Sequence, residues 1–155
     1  MSTYADSGVN IENGDACSKL AYGAAKATFI GRAGRIGAPA VLEDGFSGAL
    51  DMGDFFLVQN DDGVGSKMMV AEALGRFETV GYDLLAMVAD DAICVGAEVI
   101  TISNTVDIEK VDAQVIGPMM EGLKKACLEQ NVVIPGGEIA ELPGQVRGVI
   151  WNATS

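Results

Sequence analysis

Histidine is absent from this 155-residue sequence, which excludes histidine general bases and histidine–metal sites from the chain. Any chemistry must therefore use carboxylates, lysine, backbone amides or a bound metal ion. Cysteine is scarce as well: Cys17, Cys94 and Cys127 lie far apart, and no pair has the spacing of metal ligands. We therefore expect buried, reduced thiols and a cytoplasmic location.

Basic residues are also few, with 10 lysines and arginines against 22 aspartates and glutamates, so the formal net charge is −12. A surface this acidic repels nucleic acid and anionic membranes, and neither is an expected partner. No apolar run approaches the roughly 20 residues of a membrane span. A nucleotide polyphosphate would need divalent cations to bridge the negative charges.

Hydrophobic residues make up 49% of the chain, which is enough for one sizeable core and leaves little room for a second domain. The patterns predict an irregular arm at 1–14, and helices at 16–29, 68–74, 80–95 and 112–130, with Asp15 and Asp112 as N-caps. They predict strands at 46–52, 54–60, 99–103, 132–134 and 145–153, and loops at 31–40, 60–67 and 135–144. The apolar run at 55–58 indicates a strand buried on both faces. This order predicts an α+β fold, an α/β sandwich with a mixed sheet and flanking helices.

The segment NDDGVGSK, residues 60–67, lies between an apolar strand and the start of a helix. Gly63 and Gly65 let backbone amides approach an anion closely, and a helix N-terminus favours negative charge. Lys67 can pair with phosphate, whereas Asp62 and its acidic neighbour repel phosphate unless a cation intervenes. The segment indicates a metal–phosphate site, although its spacing is not that of a P-loop. A polar turn with solvated charges is the alternative.

The predicted helix GYDLLAMVADD, residues 81–91, carries several carboxylates on a mostly apolar surface. Asp83 and Asp90 are seven residues apart, hence nearly on one face, and Asp91 follows directly. Carboxylates are costly to bury unless they are paired or bound to metal, and oxygen ligands suit magnesium. The alternative is a solvated acidic helix face.

The segment PGGEIAELPG, residues 135–144, combines glycines that permit a tight turn around a ligand with two glutamate oxygen donors. Taken alone, it is more typical of an ordinary loop.

In this order, DGVGSK, GYDLLAMVADD and GGEIAELPG resemble DGVGTK, G-x-DLVAM-x-VND and GGETAEMPG of the aminoimidazole ribonucleotide synthetase family. The opening YADSGVNI, residues 4–11, resembles that family's Y-x-x-AGVDI, and GFSG, residues 45–48, resembles its glycine–phenylalanine segment. The resemblance spans Tyr4 to Gly144. The opening and GGEIAELPG favour this family over its relatives, the thiamine-monophosphate kinases, selenophosphate synthetases and hydrogenase-maturation proteins.

The resemblance implies that residues 1–155 are the ATP-binding amino-terminal domain of a two-domain enzyme about twice as long, with the carboxy-terminal domain absent. It implies a homodimer in which the sheet closes a barrel with a second subunit. The implied activity is the ATP- and Mg²⁺-dependent closure of formylglycinamidine ribonucleotide to aminoimidazole ribonucleotide. A kinase-like relative that phosphorylates a small molecule is one alternative, and a non-catalytic domain that dimerises and binds nucleotide is another.

The resemblance implies that Asp62, Lys67, Asp91 and Glu141 belong to the metal or nucleotide site. Together with the local patterns, it predicts nucleotide contacts from Asp62, Gly63, Gly65, Lys67, Asp83, Gly137 and Glu141. The predicted magnesium ligands are Asp62, Asp90 and Asp91, and no catalytic residue is assigned.

The sequence departs from the family pattern at three positions. Asp90 stands where the family has asparagine, Asp61 where it has threonine, and Asn104 where it has aspartate. These departures change the set of acids available to a metal ion.

Overall fold

The computed structural model of this protein describes residues 8–40 and 48–155. The YADS part of the opening, residues 4–7, and the first three residues of GFSG lie outside the described residues. Two compact units are present, one containing described residues 8–40 and 50–57, the other 48–49 and 58–155. No helix within the described ranges is long and apolar enough to cross a membrane.

Helix α1, Ile11–Ala27, opens the first unit. The Asn10 side chain caps it, because its Oδ1 accepts a hydrogen bond from the Asn13 N–H at 2.9 Å. The predicted start at Asp15 is therefore wrong: both residues are good caps, and the earlier one begins the helix. Helix α1 buries none of its side chains, and Leu20 is 76% exposed.

A short 3-10 helix, Phe29–Arg32, is followed by a three-stranded sheet. Its strands are β1 (Ala38–Ala40), β2 (Gly48–Asp51) and β3 (Phe56–Gln59), in the order β1-β2-β3. The predicted loop at 31–40 thus ends in a strand. The expected burial of β3 on both faces is wrong, because the Phe56 and Leu57 side chains of the single chain are 59% and 41% exposed.

A mixed four-stranded sheet forms the centre of the second unit, in the order β4-β7-β5-β6. Strands β4 and β5 both pair antiparallel with β7, and β5 pairs parallel with β6. The mixed α+β architecture predicted from the sequence is confirmed. The strands are β4 (Asp61–Gly63), β5 (Ser103–Ile108), β6 (Gly137–Glu141) and β7 (Val149–Thr154).

Several predicted boundaries in this sheet are wrong. The strand predicted at 99–103 begins at Ser103, and the one predicted at 132–134 contributes only an isolated bridge between Val133 and Thr101. The predicted loops at 60–67 and 135–144 contain β4 and β6. Glycine, proline and acidic residues favour loops locally, but pairing with β7 and β5 satisfies the backbone groups of these segments.

Three helices pack in the second unit: α2 (Lys67–Leu74), α3 (Val80–Cys94) and α4 (Ala113–Gln130), all within one residue of the prediction. The Asp112 N-cap is confirmed, since its Oδ1 accepts from the Gln114 N–H at 2.8 Å. The helices and one face of the sheet enclose a single apolar cluster, whose largest fully buried members are Trp151, Met68, Leu84, Ile102, Met119 and Leu123.

The opposite face of the sheet is open in the single chain. Along β7, Val149, Trp151 and Ala153 are buried, whereas Ile150 and Asn152 between them are exposed. Strand β5 alternates in the same way. This period of two is typical of a sheet with one packed and one uncovered face.

The cysteines differ in environment. Cys127 is buried, and burial raises the pKa of its thiol above the usual value. Cys17 and Cys94 are exposed, so the expectation of three buried thiols is wrong for these two.

Helices α3 and α4 cross with their backbones in contact. A Cβ atom on Gly81 would lie 2.5 Å from the Gly122 carbonyl carbon and 2.6 Å from the Leu123 Cα. A Cβ on Gly122 would overlap the Glu78 carbonyl oxygen. The crossing therefore requires glycine on both helices.

We expect Gly81→Ala to lower the free energy of unfolding by about 1–3 kcal/mol, because the methyl group forces the helices apart. The matched control is Gly23→Ala, in the interior of α1, where no atom beyond the neighbouring residues lies within 4 Å of the added Cβ. That change should raise stability by about 0.5–1 kcal/mol. Urea unfolding followed by circular dichroism measures both, and equal midpoints for Gly81→Ala and wild type would contradict the close crossing.

Candidate functional site

The NDDGVGSK segment is divided between the edge of the sheet and the start of a helix. Asp62 pairs with Ala153 in the β4–β7 ladder. Gly65 then adopts a left-handed conformation, with φ 64°, which glycine tolerates without strain. The chain turns there into α2, whose first residue is Lys67.

Helix α3 runs beside this segment in the opposite direction. Asn60 and Ser155 exchange two backbone hydrogen bonds, at 3.2 and 2.9 Å. The Ser155 Oγ donates to the Val88 carbonyl at 3.0 Å. Further along, Lys67 Nζ lies 2.9 Å from the Asp83 Oδ1. These contacts bring the predicted phosphate segment and the predicted acidic helix together.

The three predicted magnesium ligands differ in exposure. Asp62 and Asp91 are half-buried, and Asp90 is exposed. Asp91 lies about one helical turn beyond Val88, hence near the start of β4. The Asp62 Oδ1 accepts from the Gly63 N–H at 2.7 Å, which leaves its second oxygen available.

Among the described residues, no three acidic or cysteine side chains are grouped closely enough to hold a metal ion by themselves. Mg²⁺ in nucleotide sites commonly takes one or two carboxylates together with phosphate oxygens and water. The carboxylate oxygens along α3 and β4 are donors of that type, and a phosphate group would have to supply the remaining ligands.

The start of α2 is suited to an anion. The hydrogen bonds of the described residues include none from the N–H groups of Gly65, Ser66 or Lys67. Helix α2 has no acidic residue in its first turn, so the helix dipole adds to the Lys67 charge. Phosphate oxygens are the ligands that such a site prefers.

Gly137 and Glu141 lie on β6, at the opposite edge of the four-stranded sheet from Asp62. Asp62, Ala153, Asn104 and Gly137 form one row across the sheet, which puts Gly137 three strand spacings, about 14 Å, from Asp62. Glu141 is four residues further along β6, about 13 Å more. Its Oε1 accepts from the Val111 N–H at 2.8 Å. One phosphate group cannot contact both clusters of a single chain.

A shallow cavity of about 520 Å³ lies on the open face of the sheet, beside Asp62. Most of its lining residues are not among the site residues predicted from the sequence, although the alternation of polar and apolar residues in β5 and β7 was a signal for them. The cavity is rich in hydroxyl and amide groups and contains Asp61, Asp62, Gly63, Ser103, Thr105, Asn152, Ala153 and Thr154.

Asn104, where the family has aspartate, is buried and has a structural partner. Its Oδ1 accepts a hydrogen bond from the Trp151 Nε1 at 2.9 Å. A neutral amide meets this partner without the cost of burying a charge. Next to it, a Cβ on Gly137 would lie 2.6 Å from the Asn104 carbonyl oxygen, so this glycine permits close pairing of β5 and β6.

Residues 43–155 match the family model described as AIR synthase related protein, N-terminal domain. The chain belongs to this family. The match covers most of the chain and confirms the resemblance carried by the three ordered segments.

Curated relatives named phosphoribosylformylglycinamidine cyclo-ligase are similar over almost the whole chain. The proteins of Thermococcus kodakarensis and Pyrococcus furiosus are 37% and 39% identical over 148 residues, 96% of this chain and 44% of each relative. That of Methanocaldococcus jannaschii is 39% identical over 149 residues, 41% of its length. The chain therefore spans less than half the length of these relatives.

Solved structures show the same fold at low identity. Hydrogenase maturation protein HypE in complex with ATP has a TM-score of 0.52 at 19% identity, covering 62% of this chain and 28% of that one. AaThiL complexed with AMPPCP and TMP has a TM-score of 0.57 at 14% identity, covering 70% and 34%. The protein tt0281 from Thermus thermophilus has a TM-score of 0.58 at 15% identity, with the same coverage.

Proposed function

We propose that this chain is the nucleotide-binding half of an ATP-dependent cyclo-ligase that converts formylglycinamidine ribonucleotide to aminoimidazole ribonucleotide. The observation that carries this proposal is the identity of 37–39% with cyclo-ligases across 96% of the chain. We further propose that residues 1–155 form the amino-terminal domain of a cytoplasmic two-domain enzyme. The relatives are more than twice as long as the matched segment, which supports that division.

In the proposed reaction, the formyl amide oxygen of the substrate attacks the terminal phosphate of ATP and ADP leaves. The resulting iminophosphate carbon is attacked by the amidine nitrogen, which closes the ring as inorganic phosphate departs. The charge that moves during both steps is carried by phosphate oxygens, so the protein's main task is to hold and neutralise them.

The geometry supports a division of roles around these phosphates. The Lys67 ammonium and the amides of the segment containing Gly63 and Gly65 would bind phosphate oxygens at the start of α2. Asp62, Asp90 and Asp91 would hold Mg²⁺ against the same phosphates, which offsets the acidic surroundings. The ATP and AMPPCP complexes of two proteins with this fold support nucleotide binding.

Gly137 and Glu141 are proposed to contact a different part of the bound molecules. They lie too far across the sheet from Asp62 to contact the phosphates that Lys67 of the same chain would bind. In a dimer, a second copy could bring its own Glu141 towards this site.

The dimer itself is proposed from the uncovered sheet. Strands β4 and β6 are its edges, and the polar face with Ile150 has no covering layer in the described residues. A two-fold partner that pairs or covers such strands would close the expected barrel. Two chains at −12 repel each other, but that repulsion is screened beyond about 8 Å at physiological salt.

The proposed activity predicts that the complete gene product makes aminoimidazole ribonucleotide, ADP and phosphate in equal amounts from formylglycinamidine ribonucleotide and ATP. Chromatographic assay of the three products measures this. Thiamine monophosphate tested in parallel distinguishes the kinase-like alternative. No cyclised product from the complete protein would contradict the cyclo-ligase assignment.

Asp62→Asn should weaken magnesium-dependent ATP binding tenfold or more, about 1.4 kcal/mol, because a neutral amide is a poorer magnesium ligand. Isothermal titration calorimetry with and without magnesium measures the effect. Glu98→Gln is the matched control: it removes one negative charge at an exposed position outside the site and should bind like wild type. Equal wild-type ATP affinity with and without magnesium would disprove the cation bridge.

The 155-residue chain should elute as a discrete dimer of 16.1 kDa subunits, since an interface on the order of 2,000 Å² outweighs a screened repulsion. Size-exclusion chromatography with light scattering gives the mass. Ile150→Glu places a charge on the open face and should yield monomers. Ile93→Glu, at an exposed position of α3, should leave the dimer intact. A wild-type peak at the mass of one chain, stable at low micromolar concentration, would refute the dimer.

A further inference from the structure

The ion pair between Lys67 and Asp83 joins the beginnings of two helices. Lys67 is the first residue of α2, and Asp83 lies in the first turn of α3. Their charged atoms, Nζ and Oδ1, are 2.9 Å apart. The side chains are 47% and 35% exposed, so a ligand can reach the pair from solvent.

The position of Lys67 is unfavourable for the helix that carries it. A helix dipole places partial positive charge at its N-terminus, where acidic residues stabilise and lysine destabilises. Helix α2 has neither an acidic residue in its first turn nor a side-chain N-cap hydrogen bond. Asp83, by contrast, has the charge that the start of α3 favours. A pair this exposed contributes little stability, so stability does not explain why lysine occupies this position.

Asp83 restricts where the Lys67 ammonium can go. A free lysine side chain samples many rotamers, and ordering it costs free energy that a bound phosphate would otherwise have to supply. One N–H of the ammonium directed at Asp83 leaves two donors for another acceptor. The amides of Gly65 and Ser66, which precede Lys67, lie at the same helix start.

We propose that Asp83 is a positioning residue: it holds the Lys67 ammonium at the start of α2, where that ammonium meets the phosphates of the nucleotide. This inference rests on the proposed nucleotide-binding function. It differs from the direct nucleotide contact predicted for Asp83 from the sequence, because Asp83 acts here only through Lys67. A carboxylate that contacted phosphate itself would repel it, since both are negative.

A double-mutant cycle on the 155-residue chain tests the proposal, with MgATP affinity measured by isothermal titration calorimetry. Lys67→Met should weaken binding about tenfold, the loss of a charged hydrogen bond. Asp83→Asn should weaken it roughly fivefold, because the ammonium is no longer ordered. The double variant should match Lys67→Met, because Asp83 has nothing left to position.

Two further variants separate positioning from charge and from folding. Glu78→Gln breaks the exposed Arg76–Glu78 pair, removes the same single negative charge just before α3, and should leave affinity unchanged. Asp83→Glu keeps a carboxylate and should restore most of the affinity lost in Asp83→Asn. Thermal unfolding of every variant identifies any loss of folded protein.

Each other outcome overturns the proposal. Unchanged affinity in Asp83→Asn removes the positioning role, and tighter binding makes Asp83 a competitor of phosphate for Lys67. If the double variant binds MgATP more weakly than Lys67→Met by the same factor that Asp83→Asn shows alone, Asp83 contacts the nucleotide or its magnesium directly. In those three cases the nucleotide-binding function survives. Absence of MgATP binding by the wild-type chain overturns that function together with the positioning role.

Discussion

The antiparallel pairing of β4 with β7 is the constraint on which the candidate site depends. This ladder holds Asp61, Asp62 and Gly63 at the edge of the sheet and extends to the backbone bonds between Asn60 and Ser155. Ser155 in turn binds the carbonyl of Val88 on α3. Lys67 follows this ladder by only a few residues, so the chain cannot carry it far from α3. Its ammonium therefore contacts Asp83, which lies on the same helix as Val88.

The acidic composition and the proposed nucleotide site are compatible because positive character is concentrated at one place. Lys67, the amides before it and the N-terminus of α2 combine their charge, whereas the carboxylates lie along α3 and β4. With a phosphate at the start of α2 and a cation between that phosphate and the carboxylates, positive and negative charges would alternate across the site. The net charge of −12 therefore describes the surface as a whole and does not describe this local arrangement.

The four-stranded sheet separates two groups of predicted site residues. Asp62 lies on β4 at one edge, whereas Gly137 and Glu141 lie on β6 at the other edge. Strand β6 lies beyond β7 and β5 from β4, and Glu141 is bonded to the backbone at the start of α4. Any reaction that uses both groups must involve a molecule long enough to span the sheet or a second subunit. The polar cavity on the open face lies on the β4 side of this separation.

The sequence by itself determined the helices of the second unit, the Asp112 cap, the mixed sheet and the family, because hydrophobic periodicity and short ordered motifs are local signals. It also predicted a phosphate-binding segment, since the glycine spacing and the helix start are contiguous, and that assignment stays a prediction. Tertiary structure alone decided that PGGEIAELPG contains a strand, that Asn104 is bonded to Trp151, and that Asp83 faces Lys67. Each of these depends on partners 16 to 47 residues away. Local composition cannot report such partners, because which segments pair is settled by the packing of the whole sheet.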